Sequence, residues 1–217
     1  ELQQETNYVV HHVQKICAFF AAMQQFAQAL HSVGFNVVHM TLDDTQSFAD
    51  LPSLLEHLIA QHQIQQFEYQ LPDEYRLRQQ LADFTAQLRI RSQSYSTEHF
   101  YLTEQELHKN FSAGKQHRME AFYRKMRKNW HILMDAEGNP EGGQWNYDAE
   151  NRNKLKSSDL ACVPQPLLFS NDVSEILARL ERHQIKTMGR AATSLLWPVN
   201  RQQAKALLDY FCHYGLP

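Results

Sequence analysis

Cysteine, glycine and proline are all scarce in this sequence of 217 residues. The three cysteines (Cys17, Cys162 and Cys212) lie far apart and form no CxxC pair, which excludes a disulfide framework and a cysteine-based zinc site. We therefore expect reduced thiols in a cytoplasmic protein. Only seven glycines and seven prolines interrupt the chain, which leaves room for long helices.

Long apolar runs and targeting signals are absent as well. No apolar stretch approaches the ~20 residues that a membrane-spanning helix needs, so we expect no membrane association. The chain opens inside a helical pattern, without a signal peptide or an initiating Met, and we expect it to be a piece of a longer protein. A hydrophobic content of 43% and a net charge of −3 suit one large domain, or one domain with an appendage.

The first hundred residues alternate helical and strand patterns. Apolar residues between Thr6 and Val33 recur at steps of three and four, which predicts a helix with one apolar face, and Gly34 is placed to end it. Further helices are predicted at 51–62 and 72–85, and strands at 35–42, 66–71 and 87–94. This alternation predicts an α/β fold with a Rossmann-like parallel sheet and flanking helices, whose first strand is missing from the chain.

The rest of the chain is predicted to be mostly helical. Thr103 and Glu106 form a capping box at the start of a short helix. Asn171 is predicted to be the N-cap of a later helix. The longer helices are predicted at 115–134, 171–184 and 198–215.

The segment 115–131 is basic, with six Lys or Arg residues and one acidic residue. Such local charge suits a phosphate backbone, and Phe122, Tyr123 and Trp130 are interleaved where they can stack on bases. A solvated helix face whose aromatic residues pack inward explains the same pattern.

The polar loop 142–155 follows this basic segment and has two interpretations. Either it binds a ligand or another domain, or its Asn and Asp side chains form hydrogen bonds with their own backbone.

Catalytic and metal-binding motifs are lacking. The neighbours His11 and His12 point about 100° apart on a helix and cannot chelate one metal ion together, so we predict no metal site. No GxGxxG, Walker or GxSxG motif occurs. Glu5, at the start of the first helix, either meets a ligand at the carboxyl edge of the sheet or complements the helix dipole.

Two long motifs nevertheless resemble one known family. The stretch ETNYVVHHVQKICAFFAAMQQFA (5–27) is similar to the E-x-x-YV-x-HH-x-x-KI motif of the deoxyribodipyrimidine photolyase-related proteins, the iron–sulfur bacterial cryptochromes and photolyases. The stretch RMEAFYRKMRKNWHILMDAEGNPEGGQWNYDAENR (118–152) is similar to a second signature of the family, ME-x-FYR-x-MR followed by GG-x-WN-x-D-x-x-NR. Both motifs occur in the family's order.

The resemblance implies an α/β antenna domain, a connector and a large C-terminal helical domain. The helical domain of the family holds FAD and a [4Fe–4S] cluster, and the antenna domain holds 6,7-dimethyl-8-ribityllumazine, which passes excitation to the flavin. Excited reduced flavin then donates an electron to a (6-4) lesion in damaged DNA. Residues 1–100 would be an N-terminally truncated antenna domain, 101–170 the connector and 171–217 the start of the helical domain. This chain alone, without FAD or cluster, is expected to be inactive.

The resemblance also points to site residues. Glu5, Tyr8 and Phe19 match antenna-pocket positions; Glu5 is expected to accept hydrogen bonds from the lumazine, and Phe19 to fill space where the family often has a smaller aliphatic residue. Trp145 is expected to fill a packing site on the absent helical domain, and its loop to be poorly hydrogen-bonded without that domain. The residues expected to contact the helical domain or DNA are Arg118, Arg124, Lys125, Arg127, Lys128, Trp145, Asn146, Asp148, Asn151 and Arg152.

Two other functions fit what the sequence shows. A cryptochrome-like blue-light photoreceptor without repair activity shares every motif quoted above. A nucleic-acid-binding α/β module would explain the basic helix alone, and it requires DNA binding by this chain that weakens steeply as salt rises.

Overall fold

Helices and short strands alternate along the chain in the computed structural model, which describes residues 1–149 and 152–216. The helices are α1 (Gln3–Asn7), α2 (Val13–Ser32), α3 (Leu42–Thr45), α4 (Leu51–Gln61), α5 (Tyr75–Gln87), α6 (Glu104–Asn110), α7 (Met119–Trp130), α8 (Ser157–Ala161), α9 (Ser174–Arg182) and α10 (Arg201–Tyr210). The strands are β1 (His11–His12), β2 (Gln66–Gln70), β3 (Arg91–Tyr95), β4 (Asn171–Asp172), β5 (Thr187–Met188) and β6 (Ser194–Leu195).

The strands pair two by two. β1 and β5 are parallel, with His11 opposite Thr187, whereas β4 and β6 are antiparallel. β2 pairs with β3, which confirms the strand predicted at 66–71. The strand predicted at 87–94 is confirmed only from Arg91, because Gln87 is the last residue of α5. The predicted α/β class is therefore confirmed, as short strand pairs flanked by helices. None of the helices in the described part of the chain is both long and apolar enough to cross a bilayer.

The strand predicted at 35–42 is wrong. Residues 35–41 have no regular structure, and α3 begins at Leu42. Between Asn36 and His39, no backbone hydrogen bond joins the segment to another described residue. A strand exists only where a neighbour takes up its N–H and C=O groups, so β-branched composition alone does not make one. Phe35 and Val38 are accordingly 61% and 63% exposed.

The chain divides into two compact units. The first unit comprises Glu1–Phe67, Gln79–Ser92 and Val163–Pro217, and the second comprises Glu68–Arg78 and Gln93–Cys162. These units reflect contacts within the chain. The functional division at 1–100, 101–170 and 171–217 stays a prediction.

The core of the first unit lies between α2 and α9. Val13, Ile16 and Phe20 of α2 pack in one buried cluster with Ile176 and Leu180 of α9. This confirms the predicted apolar face for the first half of α2. The prediction of one helix from Thr6 to Val33 is wrong before Val13, because α1 ends at Asn7 and His11–His12 pair as β1. Each such side chain contributes roughly 1.5–3 kcal/mol when it is fully buried. The packing of α2 against α9 therefore holds the start of α2, and the residues just before it, in place.

The N-cap predicted at Asn171 is wrong, because Asn171 lies in β4 and α9 begins three residues later. The first N–H of α9, that of Ser174, is instead bound by the carboxylate of Asp172 at 2.9 Å. The side chain of Asn171 donates to the carbonyl of Trp197 at 2.8 Å and accepts from Gln203 at 2.8 Å. Asn171 thus joins β4 to the start of α10 rather than capping a helix.

His12 fixes the start of α2. Its Nδ1 accepts a hydrogen bond of 3.2 Å from the N–H of Gln14. The imidazole also lies directly against the backbone of Gly189, where a Cβ would stand 2.0 Å from Nε2. Gly189 has φ +79°, which glycine adopts without strain, so both the contact and the conformation require glycine.

The second unit is built around α6 and α7. α6 begins with the predicted capping box: the side chain of Thr103 accepts from the N–H of Glu106, and the Glu106 carboxylate accepts from the N–H of Thr103 at 2.8 Å. α7 is shorter at both ends than the helix predicted at 115–134. It begins only at Met119, and His131 adopts a left-handed conformation (φ 50°) that ends it.

Candidate functional site

Glu5, Tyr8 and Phe19 line one cavity of about 210 Å³ in the first unit. Glu5 lies on the short helix α1, Tyr8 follows that helix directly, and Phe19 lies two turns into α2. The turn between α1 and α2 brings the three residues together. Their proximity agrees with a shared pocket, and their role in binding a chromophore stays a prediction.

His11 and Lys15 also border this cavity and, together with Thr6, supply its other polar side chains. The ring of His11 lies edge-on to that of Tyr8, with centroids 4.9 Å apart. Lys15 Nζ lies 3.2 Å from His11 Nδ1 and 5.9 Å from the centre of the Phe19 ring. His11 is only 7% exposed, so its ring is held in place by its neighbours. The site prediction missed both His11 and Lys15, although both residues stand in the quoted motif E-x-x-YV-x-HH-x-x-KI.

The cavity is small for a ligand site. Pockets that enclose drug-sized molecules measure about 300–1,000 Å³, and this one falls below that range. Phe19 borders it with a side chain that is 61% exposed. The chemistry offered is a half-buried carboxylate at Glu5, a cation at Lys15 and aromatic edges at Tyr8 and Phe19. These groups suit a polar heteroaromatic ring, whereas the space is too small for a ring with a long tail.

The second predicted region, α7 with the loop after it, is organised around Arg127. Its side chain is buried, with 6% of the residue exposed. Nε donates to the carbonyl of Ile132 at 3.1 Å, and Nη1 donates to the carbonyl of Trp145 and the hydroxyl of Tyr123, both at 3.3 Å. Nη2 donates to the carbonyl of Leu133. A guanidinium is suited to this role because its five N–H groups point in fixed directions.

Three cations surround the indole of Trp145. The charged groups of Arg124, Arg127 and Lys128 lie 5.3, 5.4 and 5.3 Å from the centre of its ring. Cations at this distance are attracted by the negative face of the ring, by about 0.5–1 kcal/mol at exposed sites. Arg124 is also paired with Glu120 at 2.8 Å. Some of the positively charged side chains of α7 therefore interact with groups of the second unit itself.

The side chains of the polar loop form more hydrogen bonds within the chain than the sequence predicts. Asn146 donates to the Glu120 carboxylate at 3.2 Å, and the Tyr147 hydroxyl donates to the carbonyl of Gly142 at 2.9 Å. With Trp145 held by α7, the expectation that this loop is poorly satisfied on its own is wrong for these residues. Its tryptophan, amide and tyrosine all have partners in the same unit.

The other predicted contact residues lie on the surface. Arg118, Lys125, Asp148 and Arg152 are exposed, and Lys125 donates to Asn110 at 2.6 Å. Asp148 borders a cavity of about 430 Å³ together with Arg127 and Trp145. Asn151 lies outside the described residues. The exposed cations leave a positive surface on which an acidic protein face or a phosphate backbone can bind.

Comparison with known proteins decides the family. The sequence profile of the deoxyribodipyrimidine photo-lyase-related proteins matches residues 1–196. The chain belongs to this family. Both regions described above, the pocket around Glu5 and the surface around Trp145, lie within the match. The deoxyribodipyrimidine photo-lyase-related assignment thus confirms the resemblance seen in the two motifs.

A curated relative carries a more specific name. A (6-4) photolyase of Agrobacterium fabrum (strain C58) is 29% identical to this chain over 222 aligned positions, which cover 99% of the chain and 43% of that protein. This photo-lyase-related chain therefore spans less than half the length of the relative.

Proposed function

We propose that this chain is the light-harvesting and connector part of a flavin-dependent (6-4) photolyase. The observation that carries the proposal is the similarity to a (6-4) photolyase along 99% of the chain. In the full-length protein, bound FAD supplies a photoexcited electron that reverses the lesion in damaged DNA, in the cytoplasm. The three cysteines of this chain are fewer than the four ligands of a [4Fe–4S] cluster. The family resemblance implies that cluster and flavin would be held by the C-terminal helical domain.

The first unit is proposed to supply the antenna pocket. Glu5 would accept hydrogen bonds from the ring of 6,7-dimethyl-8-ribityllumazine, and Tyr8 would contact its edge. The cavity of about 210 Å³ supports only weak binding while Phe19 borders it, since a ring with a ribityl tail needs more room. We therefore propose that an antenna chromophore binds poorly to this protein, and that Phe19 is the cause.

The second unit is proposed to supply a preformed contact surface for the helical domain. Arg127 and Trp145 support this, because they hold the loop against α7 without a partner. The exposed cations Arg118, Lys125 and Lys128 would meet acidic groups of the helical domain, or the DNA phosphates beside it. Contacts between domains are more polar than a core, which agrees with this composition.

The test of the function uses the full-length protein with its flavin reduced. An oligonucleotide that contains one (6-4) lesion is illuminated with blue light, and restored thymines are quantified by chromatography, with a dark sample as control. We expect repair in the light only. Flavin absorbance without any repair would refute the photolyase proposal and favour a cryptochrome-like photoreceptor. A protein that holds neither flavin nor iron would refute both.

A further inference from the structure

The second unit contains a cavity of about 610 Å³ that the proposed function does not use. Its volume lies well within the range of about 300–1,000 Å³ that is typical of small-molecule sites. Three stretches form its wall: 71–78, 96–107 and α7. The apolar side chains that matter most are Phe100, Tyr101, Leu107, Met119, Phe122 and Met126.

The contribution of α7 to this wall is short. Met119, Phe122, Tyr123 and Met126 follow the i, i+3, i+4, i+7 pattern of one helix face, and all four border the cavity. From the first to the last, this face is about 10 Å long at 1.5 Å per residue. Arg118 precedes it, and the buried Arg127 follows it. An apolar face of about two turns suits a small molecule better than a partner helix, which would need a longer stripe.

The charged groups in the wall are already paired with described residues. Arg78 Nη1 lies 3.1 Å from the Glu104 carboxylate. The Asp73 carboxylate lies 2.9 Å from His99 Nδ1 and accepts a hydrogen bond of 3.2 Å from Thr97. A charged ligand would lose hydration on entering and would find no unpaired charge among these groups as compensation. The wall therefore selects for neutral ligands.

The aromatic residues are held at defined angles. Phe122 packs on Phe111 with ring centroids 4.7 Å apart, and Tyr101 packs on Trp130 at 5.3 Å. Aromatic rings and Met sulfur atoms both interact favourably with aromatic ligands. We propose that this cavity binds a neutral, planar, aromatic small molecule about 10 Å long. The proposal is independent of photolyase activity, because it concerns a different cavity from the one around Glu5.

The test titrates the chain with Nile red, a neutral planar dye that fluoresces in apolar surroundings. We expect saturable binding at one site per chain. Met126→Trp and Leu107→Trp, which fill the cavity from two different helices, should each weaken binding about tenfold or more. Leu155→Trp is the matched control, because Leu155 is 77% exposed, lies in the same unit and does not border the cavity. It should leave the affinity unchanged.

Two further measurements make the result decisive. Phe100→Ala removes part of the wall at a residue that is 68% exposed, so the fold does not depend on it, and affinity should fall about fivefold. The anionic dye 8-anilinonaphthalene-1-sulfonate should bind about ten times more weakly than Nile red. Three results would overturn the proposal. The first is absent or non-saturable Nile red binding, and the second is equal affinity for both dyes. The third is an unchanged affinity in Phe100→Ala and in every filled variant that circular dichroism shows to be folded.

Discussion

The guanidinium of Arg127 lies 5.4 Å from the centre of the Trp145 ring and also donates a hydrogen bond of 3.3 Å to the Trp145 carbonyl. One buried side chain thus holds both the ring and the backbone of the loop. Arginine is one of the two residue types that make α7 basic, and it is an arginine of α7 that attaches the polar loop to this helix. The charge of this helix therefore has a structural use in addition to any use in binding.

Replacing Arg127 should destabilise the second unit. In Arg127→Met, three partly buried backbone carbonyls lose a donor, and each costs up to about 1–3 kcal/mol where water cannot replace that donor. We expect the free energy of unfolding to fall by about 2 kcal/mol or more, and Arg127→Lys to recover only part of it because an ammonium lacks the planar fork. Urea unfolding followed by tryptophan fluorescence measures this. Lys125→Met, which removes one exposed hydrogen bond, is the control; an equal effect in both variants would contradict the account.

Replacing Phe19 should enlarge the pocket around Glu5. We expect Phe19→Ile to bind added 6,7-dimethyl-8-ribityllumazine more tightly than the natural chain, by about tenfold, because a smaller side chain opens the cavity. The change in lumazine fluorescence on titration measures the affinity. Phe26→Ile is the control, since Phe26 lies on the same helix, is 65% exposed and does not border the cavity. An unchanged affinity in Phe19→Ile would show that the phenyl ring is not what limits binding.

The irregular segment after α2 should exchange its amide hydrogens quickly. Asn36 to His39 have no backbone partner among the described residues, so nothing has to open before exchange occurs. We expect rates near those of an unstructured peptide, whereas amides of α2 around Phe20 stay protected. Hydrogen–deuterium exchange with mass spectrometry resolves the two segments. Protection at 36–39 equal to that of α2 would mean that another strand covers this segment in solution.

The stability of the first unit should depend on Asp43 at acidic pH. Hydrogen bonds from Arg182 and His183 lower the pKa of Asp43 from 3.8 to about 2. Because the folded-state value lies below the unfolded one, the contribution is fully present above about pH 4 and is lost as pH falls towards 2. Asp43→Asn should therefore be less stable than the natural chain at pH 6 and equal to it near pH 2. Thermal unfolding at both pH values measures this, and Asp83→Asn, which removes another exposed acid of the same unit, is the matched control.

Cysteine reactivity should differ among the three thiols. Burial raises the pKa of Cys17 to about 11, and this residue is 0% exposed, whereas Cys162 and Cys212 are exposed. Since the thiolate is the reactive form, a thiol reagent at pH 8 should modify two of the three cysteines in the folded chain and all three in urea. Rapid modification of all three without denaturant would show that the core between α2 and α9 opens readily.

Local patterns predicted the elements whose stabilising partners lie close in sequence. The capping box of Thr103 and Glu106 and the glycine after α2, Gly34 with φ +96°, were found because both ends of each interaction are only a few residues apart. Asn171 was misjudged for the opposite reason. Its partners, Trp197 and Gln203, lie far along the chain, and they compete with the local cap.

The residues of the candidate site also fall into those that the sequence identified and those that it did not. Family motifs identified Glu5, Tyr8 and Phe19, and the structure places them around one cavity. The site prediction left out Lys15 and His11, although both stand in the first motif, because their contacts with each other and with Tyr8 and Phe19 appear only in the folded chain. The cavity bordered by Phe100 and Met126 had no sequence signal, because its three walls come from separate stretches.

By itself, the sequence determined the helix periodicity, the family motifs and the charge of α7, since these depend on residues within a few turns of one another. Only the tertiary structure decided that 35–41 has no strand partner, that Arg127 is buried beneath Trp145, and where the cavities lie. Strand pairing, burial and cavity volume are properties of contacts between distant segments. The free energy of such contacts depends on which distant side chains and backbone groups come together in the fold. A pattern within a few residues contains no information about those partners.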